Sequence, residues 1–177
     1  KWIATRSESF ISDNQGRDHV TRAELALDRD GRFLALRVET LANLGAYVST
    51  FGAAIPSAIY SALLAGVYRT PAIFVQVTGV FTNTLPTDAY RGAGRPEACY
   101  VLERLADRAA AELAIDRGEI RRRNLVPASA MPYKTPIGPT YDCGDFPKVF
   151  TRALDMADYR GFAQRRKHAA RAGRLRG

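Results

Sequence analysis

Three small residues between two arginines form the most promising chemical feature of the chain. The segment Arg91-Gly92-Ala93-Gly94-Arg95 directly precedes a strongly helical pattern. Glycines let a backbone approach a ligand closely, and the free N–H groups at the start of a helix favour an anion or an oxo group. Arginine side chains pair well with phosphate. The segment therefore predicts either a loop that cradles a ligand or a purely structural turn.

Known phosphate-binding loops do not match this spacing. The third glycine of a dinucleotide fingerprint would fall at Glu97, and no Lys-Ser or Lys-Thr pair follows as a P-loop needs. Spacing alone thus leaves both interpretations of the loop open.

Histidines and cysteines offer little further chemistry. His19 and His168 have no acid, serine or cysteine at a catalytic spacing, so we expect both at the surface. Cys99 and Cys143 form no CxxC pair, which excludes a four-ligand zinc site. We expect reduced thiols, with Cys99 packed on its helix.

Positive charge is concentrated at one end of the chain. The net charge is +8, and residues 158–177 hold seven basic residues against one acid. Clustered basic residues could bind phosphates, so a non-catalytic module that binds anions or nucleic acid is the alternative function. The segment has few interleaved aromatic residues, which favours a solvated helix or contact with an acidic partner, and no nucleic acid is expected.

Composition indicates a globular protein without a membrane span. Of the 177 residues, 46% are apolar, enough for a packed core. The longest apolar stretch, residues 51–67, is interrupted by glycine, proline and serine and is too broken to cross a bilayer. No signal-peptide pattern opens the chain, so a cytoplasmic location is expected. Lys1 in place of methionine predicts a piece of a larger protein.

Periodicity predicts an α+β fold with strands early and helices later, divided into a strand-rich part (1–95) and a helical part (96–177). Predicted strands cover 1–5, 21–28, 32–40 and 72–82, the middle two as a hairpin. Predicted helices cover 56–67, 96–115, 117–124, 146–157 and 159–172, after a possible helical turn at 7–10. Residues 83–95 and 126–144 are predicted as loops. The candidate segment therefore lies between a strand and the most regular helix.

The segment Asp88–Ala98 also resembles the molybdenum-binding large subunit of the xanthine dehydrogenase and aerobic carbon monoxide dehydrogenase family. The resemblance extends over essentially the whole chain, through four further stretches: Lys1–Glu8, Thr82–Pro86, Ile120–Leu125 and Tyr141–Asp145. It implies that the fold is part of the molybdenum-cofactor-binding region of such hydroxylases.

The resemblance implies a role for each residue of the loop. Arg91, Gly92, Ala93 and Gly94 would contact the cofactor, with the backbone of Arg91 beside the molybdenum. Tyr90, Gly92 and Ala93 would line the substrate pocket. No catalytic residue is expected within these residues, because the glutamate that acts as base lies further along the family's chain. The replacement Gly92→Leu is therefore expected to abolish turnover and leave the fold largely intact.

Cofactors and partners follow from the same resemblance. It implies a molybdenum–molybdopterin cytosine dinucleotide in the full-length protein and oxidation of a small substrate, with water as the oxygen donor. It also implies an iron–sulfur small subunit, an FAD medium subunit and a possible dimer of heterotrimers. The family's other cofactor loops have no counterpart here, so the isolated fragment is expected to be inactive.

Two positions depart from specialised members of the family. Copper-containing carbon monoxide oxidisers have a cysteine at the position of Gly92, which argues against copper here. Purine oxidisers have a phenylalanine at the position of Ala93 and an arginine near Ile59, so a purine substrate is not expected. The resemblance is compatible with an aldehyde or an N-heteroaromatic substrate.

Overall fold

A three-stranded sheet covered by helices forms the centre of the protein, and the computed structural model describes all 177 residues. The elements in chain order are α1 (Arg6–Ser12), β1 (His19–Leu27), β2 (Phe33–Gly45), α2 (Tyr60–Ala62), β3 (Ala72–Phe81), α3 (Arg95–Glu112), α4 (Arg117–Asn124), β4 (Tyr133–Lys134), β5 (Thr140–Tyr141), α5 (Phe146–Met156) and α6 (Phe162–Arg171). A π-helical turn (Ile55–Ile59) precedes α2, and 3₁₀ turns occupy Ala128–Ala130 and Tyr159–Gly161. The mixture confirms the α+β fold class.

The sheet has the order β1-β2-β3, with both kinds of strand pairing. β1 and β2 form an antiparallel hairpin, and β3 runs parallel to β2. The hairpin turn is held by the Asp28 carboxylate, which accepts from the Asp30 and Arg32 amides at 2.9 and 2.8 Å. The predicted hairpin is confirmed, and the parallel partner brings the end of β3 to the candidate loop.

One face of the sheet packs against α3 and α2 to make the core. The buried set includes Leu36, Val38, Tyr60, Leu64, Ala98, Leu102, Ala106 and Ile120. Because this cluster contains residues from before and after residue 95, one core joins the two predicted parts of the chain.

Local signals placed most helix starts correctly. Asp116 accepts from the Glu119 amide at 2.9 Å at the start of α4, and Asp145 accepts from the Lys148 amide at 3.0 Å at the start of α5. Such caps satisfy N–H groups that have no partner inside the helix. The predicted starts of α4 at residue 117 and of α5 at residue 146 are therefore confirmed.

Four expectations about elements are wrong. Residues 1–5 form no strand, because no neighbouring strand pairs with them. β2 continues to Gly45, beyond the predicted strand end at residue 40, because β3 pairs with it that far. The predicted helix 56–67 is reduced to the π-helical turn and α2, and the loop 126–144 contains the small β4-β5 ribbon.

Two findings concern the cysteines and the helices. Cys99 and Cys143 are both free and exposed, so the expected packing of Cys99 is wrong. Its position on α3 faces away from the sheet. None of the helices combines the length and apolar character that crossing a membrane requires.

Candidate functional site

Two successive tight turns shape the loop between β3 and α3. The Ala93 amide donates to the Tyr90 carbonyl at 2.8 Å, and the Arg95 amide donates to the Gly92 carbonyl at 3.0 Å. The φ angles of Gly92, Ala93 and Gly94 are +95°, +40° and +87°. Three left-handed residues in a row explain the two glycines, and Ala93 carries the strain that a β-carbon brings there.

Both glycines are also tightly packed. A β-carbon at Gly94 would lie 2.9 Å from the Tyr60 nitrogen and 3.1 Å from the Ile55 carbonyl oxygen. A β-carbon at Gly92 would lie 2.7 Å from the ring of Pro96. The expectation that Gly92→Leu leaves the fold largely intact is therefore wrong, because the backbone angle and the Pro96 ring both oppose it.

Amide groups of this loop provide unused hydrogen-bond donors. The N–H groups of Arg91, Gly92 and Gly94 donate to no acceptor within the chain. Several such donors on a fixed backbone bind oxygen-rich or anionic groups well. This donor set fits the phosphate- and oxo-bearing cofactor that the resemblance implies.

The side chains around these amides add positive charge. Arg91 and Arg95 are exposed, and Arg95 turns back so that its Nη1 lies 3.3 Å from the Gly92 carbonyl oxygen. Tyr90 is also exposed. All five residues assigned to the cofactor or the substrate pocket lie in one loop, in which exposure falls from Tyr90 and Arg91 through the half-buried Gly92 and Ala93 to the buried Gly94. Their roles stay predictions.

Arg17 contacts this loop from a distant part of the chain. Its Nη2 donates to the Arg91 carbonyl, and its Cζ lies 4.8 Å from the centre of the Tyr90 ring. Its Nε lies 3.6 Å from Glu97 Oε1, in the first turn of α3. Sequence reasoning did not find Arg17 because no local spacing connects positions so far apart.

Asp88 anchors the start of the loop. Its carboxylate accepts from its neighbour's amide, Ala89 N, at 2.6 Å and from Phe51 N at 3.1 Å. These hydrogen bonds, of which the one from the Ala89 amide has the largest effect, hold the pKa of Asp88 below its usual value. The segment around Phe51 is thereby tied to the start of the loop.

A groove of about 1080 Å³ runs between β1 and α3, behind the loop. Arg17 and Glu97 lie at its end, whereas residues 90–94 do not line it.

His19 also lies in the groove and is half-buried, with its ring edge-on to Tyr60 at 5.3 Å between centres. The expectation of a surface His19 is therefore wrong, whereas His168 is exposed as predicted. Burial lowers the pKa of His19, although the negative charges of Glu97 and Asp18 act to raise it.

The basic C-terminal segment forms no part of this site. No residue of α6 is buried. Arg165 donates to the carboxylate of Asp158 and to the Ala157 carbonyl, so one of its arginines is used in a local contact. Nothing in the arrangement brings these charges to the loop.

No three His, Cys, Asp or Glu side chains come together as metal ligands in this chain. A metal at the loop would therefore need ligands other than clustered side chains of this chain, as an organic cofactor provides.

Comparisons with known proteins identify relatives over nearly the whole chain. The family model of the molybdopterin cofactor-binding domain matches residues 1–125. The chain is 36% identical to the 6-hydroxypseudooxynicotine dehydrogenase complex subunit gamma of Paenarthrobacter nicotinovorans, over 98% of this chain and 22% of that protein. It is also 36% identical to the carbon monoxide dehydrogenase large chain of Hydrogenophaga pseudoflava, over 97% of this chain and 21% of that protein.

A solved structure shows the same fold. Quinoline 2-oxidoreductase from Pseudomonas putida 86 superposes with a TM-score of 0.89 at 33% identity, covering 97% of this chain and 22% of that one. The chain thus spans about a fifth of the length of the proteins that it matches.

Proposed function

This chain belongs to the molybdopterin cofactor-binding domain family, and we propose that it is part of the large subunit of a molybdenum hydroxylase, in which residues 90–94 form one wall of the active site. The family resemblance of Asp88–Ala98 is confirmed by the match over residues 1–125. The observation that carries the proposal is the set of unused N–H donors on a loop that two turns and Arg17 hold in place.

In this proposal the residues of this chain bind and orient the cofactor. The amides of Arg91, Gly92 and Gly94 donate hydrogen bonds to oxygens of the cofactor, and the neighbouring guanidinium groups balance its negative charge. When bound, the molybdenum–molybdopterin cofactor supplies a two-electron oxidation that uses oxygen from water. Fixed donors stabilise charge without needing to reorganise. The family resemblance places the glutamate base outside these residues, so no proton transfer is assigned to them.

Substrate selection involves Tyr90, Gly92 and Ala93. Gly92 and Ala93 are small, so the wall leaves space beside the exposed Tyr90 ring. Gly92 has no side chain that could ligate copper, which favours an aldehyde or an N-heteroaromatic substrate over copper-assisted oxidation of carbon monoxide. The names of two relatives, which refer to 6-hydroxypseudooxynicotine and quinoline, support an N-heteroaromatic substrate.

Partner subunits complete the proposal. One relative is named as subunit gamma of a complex and another as a large chain. We infer an iron–sulfur small subunit and an FAD medium subunit that carry electrons away, in a cytoplasmic complex that can dimerise as heterotrimers. The cofactor is proposed in its cytosine dinucleotide form, and the 177 residues alone are expected to be inactive.

Oxygen labelling tests this function. The full-length parent, purified with its companion subunits, is supplied with quinoline, an aromatic aldehyde or carbon monoxide, and with an artificial electron acceptor in H₂¹⁸O. The product should carry ¹⁸O from water, with one of the first two substrates preferred. Label that comes from O₂, or no turnover of any of the three by a metal-loaded parent, would contradict the proposal.

A further inference from the structure

The first of the two turns can hold its central peptide in two orientations. The Ala93-to-Tyr90 hydrogen bond, with Gly92 at φ +95° in the third position, is the pattern of a type II turn. Glycine at this position also adopts the negative φ of a type I turn, in which the peptide between Arg91 and Gly92 is flipped. Something outside the turn must therefore select one orientation.

Arg17 is placed to make this selection. Its Nη2 donates to the Arg91 carbonyl, which is the oxygen of the central peptide. A trans peptide is planar, with its C=O and N–H pointing in opposite directions. When Arg17 holds the Arg91 carbonyl on its own side, the Gly92 N–H must point to the opposite side of the loop, where it has no acceptor within the chain.

The guanidinium of Arg17 is itself held on two further sides. The Tyr90 ring lies over it at 4.8 Å, and Glu97 Oε1 lies 3.6 Å from Nε. The Glu97 side chain is only 11% exposed, so this ion pair is shielded from water and better defined than a surface pair. The fork of an arginine makes such divergent contacts at once, which a lysine cannot do.

The backbone at this position supports a specific role. Arg17 has a φ of +61°, an uncommon conformation for a residue with a side chain. The adjacent Gly16 lies so close to the loop that a β-carbon there would be 3.0 Å from the Tyr90 β-carbon. Gln15 is hydrogen-bonded to the loop's approach through the Pro86 carbonyl and the Asp88 amide. Strained backbone of this kind persists where the surroundings fix it.

We propose that Arg17 is a positioning residue that fixes the peptide between Arg91 and Gly92, so that the Gly92 N–H faces the cofactor. That a cofactor lies on this side of the loop rests on the proposed function. Arg17 touches neither substrate nor cofactor in this account. It acts through the Arg91 carbonyl.

Hydrogen exchange in the full-length parent tests the positioning itself. In Arg17→Ala, peptides covering residues 88–96 should exchange about tenfold faster, because a charged hydrogen bond on the turn is lost. Arg17→Lys should restore part of the protection. Arg22→Ala, on β1 shortly after Arg17 and in an exposed ion pair with Glu24, is the matched control and should leave these peptides unchanged. Unchanged exchange in Arg17→Ala would overturn the proposal, whether or not the parent holds molybdenum.

Metal content and kinetics test the link to the cofactor. Relative to the wild-type parent, Arg17→Ala should lower kcat per bound molybdenum about tenfold, with KM changed less than about twofold. It should also lower the molybdenum bound per folded protein, and Arg17→Lys should recover part of both losses. Faster loop exchange with unchanged metal content and unchanged kcat would overturn the proposed direction of the Gly92 N–H.

Further outcomes separate this inference from the proposed function. A wild-type parent without molybdenum would contradict the proposed function, while the exchange data would still decide whether Arg17 holds the turn. If Arg17→Ala does not fold, Glu97→Gln replaces it, since that variant keeps the side-chain shape and removes the charge beside Arg17. It should accelerate exchange in residues 88–96 by a smaller factor, and no acceleration would count against the proposal.

Discussion

The backbone nitrogen of Tyr60 lies 2.9 Å from the point that a β-carbon on Gly94 would occupy. Tyr60 is fully buried at the start of α2, and its ring lies edge-on to His19. The back of the loop is therefore packed directly against backbone of the core. Tyr90 and Arg91, at the start of the same loop, are exposed.

Gly94→Ala should destabilise the chain strongly. The left-handed φ costs about 1–2 kcal/mol for a residue with a side chain. Overlap with the backbone of Ile55 and Tyr60 adds about 1–3 kcal/mol. Urea unfolding should show the sum as a lower midpoint. Gly173→Ala is the control, because Gly173 has a φ of +67° but no atom within 4 Å of its β-carbon position. It should cost no more than about 1–2 kcal/mol, and equal losses in the two variants would contradict the packing argument.

Arg121 connects α4 to α3 and should contribute more than its neighbours. Its Nε and Nη2 donate to Glu103 at 2.7 Å and Asp107 at 2.9 Å, and its side chain is 15% exposed. Burial alone would lower the pKa of Arg121, but these hydrogen bonds raise it overall. Arg121→Ala removes the shared cation from two partly buried carboxylates and leaves Glu103 with the Tyr68 hydroxyl and Asp107 with the more distant Arg117. The loss of these charged hydrogen bonds should cost about 2–3 kcal/mol in urea unfolding.

Arg122 provides the matched comparison on the same helix. It pairs with Glu119 at 2.8 Å with both side chains well exposed. Arg122→Ala should cost less than about 1 kcal/mol, as exposed ion pairs do. A loss as large as that of Arg121→Ala would show that burial does not separate the two arginines.

His19 should make stability depend on pH in a defined window. Because burial lowers the pKa of His19 in the folded chain, the neutral ring is favoured there. Near pH 6.5 and below, the unfolded chain takes up the proton first. The free energy of unfolding should therefore fall as the pH falls from about 7.5 towards 5, by less than the limit of about 1.4 kcal/mol per pH unit for one proton.

The replacement His19→Phe keeps a ring against Tyr60 and removes the titration. The difference in unfolding free energy between wild type and this variant should change with pH over the same window. A wild-type minus His19→Phe difference that is constant with pH would contradict the account of His19.

Sequence reasoning succeeded where the signal is local. The stripe of α3 that includes Ala98 and Leu102 follows helical periodicity and is buried as expected. The hairpin turn at Asp28–Arg32 is likewise determined by neighbouring residues. The loop was identified because its glycines and arginines are adjacent in sequence.

Contacts between distant residues could not be predicted in this way. The Arg17 contact with the Arg91 carbonyl depends on how the segment before β1 lies beside the residues that follow β3, to which Gln15 is hydrogen-bonded at Pro86 and Asp88. The half-burial of His19 depends on Tyr60, which reaches it only through the packing of α2 on the sheet. Pro96 restricts Gly92 by its ring position, which composition does not reveal.

Metal and nucleotide analysis of the full-length parent tests the central claim most directly. The parent is purified with its companion subunits from cells supplied with molybdate, and folding is verified by its unfolding transition. The account predicts about one molybdenum per large subunit, consistent with a single cofactor site, and CMP released on acid hydrolysis. A folded parent that contains no molybdenum and no bound nucleotide would contradict it.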